Sequence, residues 1–204
     1  MSDILKTYNV SRETIERLKA YEKLVLEWNN KFNLISKSSI QDIWSRHIED
    51  SLQLCLYLKS DDRVLYDFGS GAGFPGVVIA IIAKEIFPNL EISLIESIGK
   101  KANFLKVVSD ELCLDLNIYN DRIEKLNISR ADVITSRAMA SLDKLLEYSK
   151  PFCYNKTRLL FLKGEKWQEE VVEAKKRWSF SFITQKSQTS DKGCVLQIEN
   201  IRRK

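Results

Sequence analysis

Apolar positions recur at helical spacing over residues 11–30, where Ile15, Leu18, Tyr21, Leu24, Val25 and Trp28 form one stripe and Ser11 is placed to cap its start. The same spacing returns over residues 40–59, with Ile40, Ile43, Trp44, His47, Ile48, Ser51, Leu52, Cys55 and Leu58 on one face, so a second amphipathic helix is expected there. A polar connection around Lys31 and Asn33 joins the two. The period changes at Arg63. Val64 to Phe68 is a short apolar run that predicts a strand, and Val77 to Phe87 predicts a buried helix stopped by Pro88. Strands are then expected at 91–96, 116–119, 132–136 and 158–163, with helices at 99–113, 142–149 and 165–177 between or after them.

Strands alternating with helices imply right-handed crossovers and a mostly parallel sheet. The chain ends differently. Ser179 to Lys186 and Cys194 to Ile201 flank a polar, glycine-containing connection too short for a helix, which predicts an antiparallel hairpin. A parallel five-stranded core closed by such a hairpin, seven strands in all, is the usual outline of class I methyltransferases. The α/β unit is expected over residues 61–204, preceded by a helical extension over 1–60. Strand order is not encoded in the pattern.

Composition sharpens one place. The 204 residues include only seven glycines, about half the usual share of roughly 7%. Four of them, Gly69, Gly71, Gly73 and Gly76, fall between the first strand and the helix after it. A single histidine excludes a multi-histidine metal site, so no metal is expected. The four cysteines are far apart with no CxxC pair, which argues against a zinc ribbon, a thioredoxin motif or a disulfide framework and for a reducing compartment. The longest apolar run, Val77 to Ala83, is too short to span a bilayer, and the opening residues Met1 to Lys6 lack a signal-peptide pattern. A cytoplasmic protein with no membrane partner is expected. No heptad run appears, and a monomer is the default. Residues 1–60, 61–150 and 151–204 carry net charges of +1, −3 and +6, so the basic excess sits in the last quarter and suits a phosphate-rich partner.

The glycine segment reads Asp67-Phe68-Gly69-Ser70-Gly71-Ala72-Gly73-Phe74-Pro75-Gly76 and fits two ligand classes. Gly71, Gly73 and Gly76 satisfy the dinucleotide pattern G-x-G-x-x-G, with Glu96 twenty residues further on. Asp67, Gly69, Gly71 and Gly73 satisfy the D-x-G-x-G-x-G pattern of an S-adenosylmethionine loop, with Glu96 accepting from the ribose hydroxyls. The second is favoured. A pyrophosphate needs backbone donors and no nearby negative charge, whereas Asp67 precedes the loop and Pro75 removes a donor. The chain is also short for a dehydrogenase.

The end of the fourth strand faces the methyl acceptor in this fold. Exocyclic amine methylation commonly uses a (D/N)-P-P-aromatic motif there, but the chain has Ile134-Thr135-Ser136-Arg137-Ala138-Met139. Methylation at a pyrimidine carbon needs a cysteine nucleophile; Cys153 precedes the fifth strand with no neighbouring base and reads as apolar filler. Direct in-line displacement by a purine N7, which already carries a free lone pair, needs positioning rather than a general base.

Several stretches together resemble the RsmG family, formerly glucose-inhibited division protein B, which are 16S rRNA guanine-N7 methyltransferases. They are Trp28-Asn29-Asn30-Lys31-Phe32-Asn33-Leu34, Arg46-His47-Ile48-Glu49-Asp50-Ser51-Leu52, the glycine segment, Lys100-Lys101-Ala102-Asn103-Phe104-Leu105, Arg122-Ile123-Glu124, Ser136 to Leu142, and Leu162-Lys163-Gly164. The resemblance covers nearly the whole chain. It implies that S-adenosylmethionine is held by Gly69 and Phe74, that Ile123 and Glu124 lie at its adenine, and that Arg137 borders the methyl-donor site. It also implies a target guanine in the 530 loop of 16S rRNA, within the small ribosomal subunit or an assembly intermediate. Two departures are visible: Glu96 stands where the family usually has Asp, and Asp121-Arg122-Ile123-Glu124 where it usually has Gly-Arg-Ala-Glu.

The expected donor site is therefore Asp67, Gly69, Gly71, Gly73, Phe74, Glu96, Ile123, Glu124 and Arg137. Arg137 and Lys163 are expected at the reacting base, since an arginine can hold the O6 edge of guanine. Lys31, Asn33, Arg46, His47, Lys100 and Lys101 are candidate RNA contacts. Two other classes fit parts of the pattern: a small nucleotide-dependent oxidoreductase, and an RNA-binding module with a vestigial pocket.

Overall fold

The computed structural model describes residues 3–204, so the sequence expectation for the chain's start falls partly on Met1 and Ser2, outside that range. A short helix α1 (Asp3–Thr7) precedes α2 (Arg12–Asn29). Ser11 caps α2 as its sequence suggests, with extended backbone and its Oγ accepting from Thr14 N at 3.2 Å. Leu18, Tyr21 and Val25 of the α2 stripe are buried.

The segment expected as one helix over 40–59 is not one. It runs through a π-helix (Trp44–Glu49), a single turn α3 (Asp50–Leu52) and a 3₁₀ turn (Gln53–Tyr57). Apolar periodicity sets which face is buried but does not distinguish these hydrogen-bond registers. Ser51 Oγ donates to His47 O at 2.6 Å and competes for that carbonyl. The wider π turn carries Arg46 and His47, a placement common at functional sites.

From Val64 the expected alternation holds, and each element begins or ends within a few residues of its predicted bounds. The strands are β1 (Val64–Phe68), β2 (Glu91–Ile95), β3 (Leu116–Tyr119), β4 (Val133–Arg137) and β5 (Arg158–Lys163), with α4 (Gly76–Ile86), α5 (Gly99–Glu111), α6 (Leu142–Ser149) and α7 (Trp167–Arg177) among them. The hairpin β6 (Trp178–Lys186) and β7 (Cys194–Arg203) closes the sheet, whose order is β3-β2-β1-β4-β5-β7-β6. The first five strands are parallel, and β7 runs antiparallel to both β5 and β6. The order reverses between β1 and β4, and a crevice at the carboxyl ends of these strands is where such sheets bind ligands.

Two buried clusters cover the two faces. One gathers Leu18, Tyr21, Ile48 and Leu52 with Ile79 of α4, Phe104 of α5 and Leu160 of β5. The other gathers Leu145 and Leu146 of α6 with Val171 and Ala174 of α7 and Trp178. The N-terminal segment thus shares its core with the sheet, and buried Arg158 pairs with Asp62 beside it (2.5 Å). Among the described residues no helix is long and apolar enough to cross a membrane.

Candidate functional site

β1 ends at Phe68, and the chain turns through Gly69, Gly71 and Gly73 with φ of +66°, +59° and +100° before α4 starts at Gly76. These are left-handed conformations that glycine adopts at little cost. The loop spends its own backbone donors. Gly69 and Ser70 N–H donate to Ile95 O (2.9 and 3.1 Å), Gly73 N–H to Ser70 O (2.7 Å), Gly71 N–H to Glu96 Oε2 (2.8 Å) and Gly76 N–H to Asp67 Oδ2 (3.2 Å). A pyrophosphate cradle needs such groups free and aimed outward, so this loop does not fit one.

Asp67, expected at the donor, lies beneath the loop and lines neither cleft. It is fully buried, its Oδ1 accepts from Thr135 Oγ1 (2.8 Å), and burial pushes its carboxyl up to about 6. Its task is to brace the turn. Gly76 sits so close that a Cβ would come within 2.7 Å of Asp67 Oδ2 and 2.4 Å of Leu94. Gly73 is likewise pinned from behind, where Tyr21 donates to Ala72 O at 2.7 Å. Tyr21 reads in the sequence only as one position on a helical stripe.

A trough of about 370 Å³ opens in front of the loop, lined by Gly69, Gly71, Glu96, Ile98, Ile123 and Met139 among others. Glu96 Oε1 also accepts from Ile98 N–H (2.7 Å), so two backbone donors fix the carboxylate at the trough wall. Ile98 is 51% exposed, an apolar surface on the rim. Ile123 is buried and Glu124 exposed on a 3₁₀ turn (Ile123–Lys125) that forms the far wall. A carboxylate, a glycine turn that puts no side chain in the way and apolar walls suit a nucleoside with ribose hydroxyls. Ile98 carries no sequence motif and is identified by position alone, while Met139, within the stretch Ser136 to Leu142, gains its place at the trough only from the structure.

β4 ends at Arg137, and the next residue, Ala138, takes φ +51°, uncommon for a residue with a Cβ. Arg137 Nη1 donates to Arg46 O (3.0 Å) and lies 3.6 Å from Asp50 Oδ2, while Nη2 donates to His47 Nδ1 (2.6 Å). Its guanidinium carbon sits 5.2 Å from the Phe74 ring centre, and Phe74 stacks on His47 at 4.9 Å. Phe74 therefore supports Arg137 from within the core and lines neither cleft. Burial and the cations of Arg137 and Arg46 lower His47 to about 4.

Beyond Arg137 a cleft of about 800 Å³ is lined by Asp50, Arg137, Met139, Lys163, Glu170, Ser187 and Cys194 among others. Ala138 and Met139 border both cavities. Lys163, expected to face the reacting base, is paired with Glu170 (2.6 Å) and donates to Ala140 O (3.1 Å). It builds the wall and joins β5 to α7. Burial pushes the Cys194 and Cys153 thiols up to about 11, so neither is poised as a thiolate.

Of the candidate RNA contacts, Lys101 lines the trough, and His47 and Arg46 meet Arg137. Lys31, Asn33 and Lys100 are exposed and line neither cleft; Lys31 Nζ lies 5.9 Å from the Trp28 ring centre and Lys100 Nζ 5.4 Å from that of Phe32.

Comparison with known proteins agrees with this architecture. The solved magnesium protoporphyrin IX methyltransferase of Synechocystis, with bound S-adenosylmethionine, superposes with a TM-score of 0.63 at 10% identity, covering 89% of this chain and 97% of that one. A ribosomal protein L11 methylase of Lactobacillus delbrueckii superposes at 0.59 and 10% identity over 74% and 76%. At such identities these likenesses establish the fold, a class I methyltransferase. In sequence, the ribosomal RNA small subunit methyltransferase G of Orientia tsutsugamushi is 40% identical over 192 residues, 94% of this chain and 93% of the relative. That of Brucella ovis is 40% identical over 206 residues, 99% and 96% of the two. The family model described as GidB, rRNA small subunit methyltransferase G, matches residues 14–198, and the chain belongs to that family.

Proposed function

We propose that this chain transfers a methyl group from S-adenosylmethionine to N7 of one guanine in the 530 loop of 16S rRNA by direct in-line displacement. Membership of the family and the fold shared with S-adenosylmethionine-bound methyltransferases support a methyl donor and a ribosomal RNA acceptor. The observation that carries the finer reading is the junction at Ala138 and Met139, where a nucleoside-sized trough meets a wider cleft beside Arg137.

Glu96 suits the ribose hydroxyls of the donor, Ile98 and Ile123 its adenine, and the Gly69–Gly71 carbonyls the ammonium of its methionine end, since the N–H groups there are spent. Asp67, Gly73 and Phe74 hold that wall from behind. When bound, the donor supplies a methyl made electrophilic by the attached sulfonium. The chain's own residues orient the acceptor. Arg137 offers donors to the O6 edge of guanine, which sits beside N7. Neutral His47 keeps a second cation away from that edge. The cleft carboxylates Asp50 and Glu170 are paired with Arg137 and Lys163, and an N7 lone pair needs neither a general base nor a thiolate. Lys31, Asn33, Arg46, Lys100 and Lys101 are surface groups suited to the rRNA backbone. The enzyme acts as a cytoplasmic monomer.

The test is to map N7-methylguanine in 16S rRNA from cells with and without the gene, and to restore it with the purified protein. Loss of one site in the 530 loop on deletion is expected. An unchanged methylation map would remove the reading.

A further inference from the structure

Asp50 stands where three distant parts of the chain meet. Its Oδ2 lies 3.6 Å from Arg137 Nη1 at the end of β4. Its Oδ1 accepts from Thr189 Oγ1 (2.8 Å), from Gln53 Nε2 (3.0 Å) and from Ser187 Oγ (3.5 Å). Gln53 Oε1 in turn accepts from Gln188 N–H at 2.7 Å. Ser187, Gln188 and Thr189 begin the loop joining β6 to β7, closed on itself by Ser187 N–H donating to Gly193 O (3.0 Å). Asp50, Ser187, Ser190 and Gly193 all line the 800 Å³ cleft. A Cβ on Gly193 would lie 3.2 Å from Lys163 O, so the loop rests against the end of β5.

One carboxylate therefore divides its two oxygens between the arginine and the loop. The Asp50 and Arg137 side chains are each 17% exposed, so their attraction is less screened than that of a surface pair. The loop itself carries Gln188, Thr189 and Ser190, donors and acceptors suited to a base or ribose.

We infer that Asp50 is a positioning residue for methyl transfer, setting the Arg137 guanidinium and the loop 187–193 in one register so that the acceptor nucleotide is held between them. This rests on the reading that the cleft takes the acceptor guanine. Asp50 fixes the direction of Arg137, and Gln53 with Thr189 fixes the distance of the loop from it.

The experiment measures steady-state methylation of small ribosomal subunits from cells lacking the gene, with S-adenosylmethionine affinity by calorimetry alongside. Asp50→Asn keeps the shape but loses the charge facing Arg137, and kcat/KM for the subunit is expected to fall about tenfold or more while donor affinity stays within about twofold. Thr189→Val removes one loop tie only, and is expected to raise KM for the subunit several-fold with kcat nearly kept. Parent kinetics in Asp50→Asn would overturn the inference, as would a loss of donor affinity equal to the loss of turnover, which marks a general structural role. If Asp50→Asn does not fold, Thr189→Val decides, and an unchanged KM overturns the inference. A parent protein that methylates no subunit overturns the functional reading and this inference together; an active parent with unaffected variants overturns this inference alone.

Discussion

Arg137 Nη2 lies 2.6 Å from His47 Nδ1, and this contact fixes the protonation of the chain's single histidine. A guanidinium can only donate. Nδ1 must therefore accept, the ring is neutral, and its proton resides on Nε2. The lowering of His47 to about 4, caused first by burial and then by Arg137 and Arg46, has the same direction.

That lowering makes a stability prediction. The unfolded histidine titrates near 6.5 and the folded one near 4, so between these values the unfolded chain binds a proton that the folded chain does not. The contribution is present in full above pH 6.5 and is lost as pH falls toward 4. Asp67, raised to about 6, acts in the opposite sense, binding its proton first in the folded state. Comparing His47→Gln with the parent isolates the histidine. Urea midpoints at pH 7.5 and 5.5 are expected to drop less in His47→Gln than in the parent, and equal drops would refute the assignment.

Arg137→Lys is expected to be far from conservative. The guanidinium reaches Arg46 O, His47 Nδ1 and the Phe74 face at once, and an ammonium cannot span that set. Misplacement of the acceptor by about 1 Å costs on the order of 100-fold in rate. Turnover should fall by about that factor, while the melting temperature moves by only a few degrees. Initial rates and calorimetric melting of the same preparation decide it; retained turnover removes Arg137 from the reaction.

The four clustered glycines should divide by substitution. At Gly76 a Cβ would meet Leu94 at 2.4 Å, so Gly76→Ala is expected to cost about 1–3 kcal/mol of stability by overpacking. At Gly71 the nearest atom to a Cβ is Gly69 O at 3.8 Å, an ordinary contact, so the cost of a side chain there is the left-handed φ of +59°, which Asp tolerates better than most residues. There Gly71→Asp should leave the fold largely intact and abolish donor binding, because a second carboxylate enters the trough beside Glu96. Calorimetry with S-adenosylmethionine tests it, and undiminished affinity would count against this trough as the donor site.

Tyr21→Phe removes the hydroxyl that donates to Ala72 O and leaves that buried carbonyl unpaired. A cost of about 1–3 kcal/mol is expected. Because the bond pins the glycine loop, donor affinity should weaken several-fold along with the melting temperature. A variant that melts early yet binds the donor normally would show that the loop holds its shape without α2.

Much of the fold was legible in residue order. Strands β1 to β5 carry apolar runs with glycine, proline or polar breaks between them, so their existence follows from local pattern, as does the hairpin of β6 and β7. The glycine segment was legible too, since four of seven glycines in one turn require a backbone reason. What the pattern could not supply was the path of hydrogen bonds within a buried face. Hence the segment 40–59 was expected as one helix, although the structure winds its middle into a π turn. Asp67 matches the ligand-loop motif by position, but packing turns its carboxylate beneath the loop toward Thr135.

The chain's local order determines that there is an α/β sheet, where its phosphate-avoiding glycine turn lies, and which chemistries lack their nucleophiles. Those properties depend on neighbours a few residues apart. The tertiary structure alone decides that β4 lies beside β1, that Tyr21 and Phe74 meet behind the loop, and that Arg137 meets His47 and Asp50 while Asp50 meets Thr189. Contacts between residues 47, 50, 137 and 189 depend on strand order and crossovers, which no local period encodes.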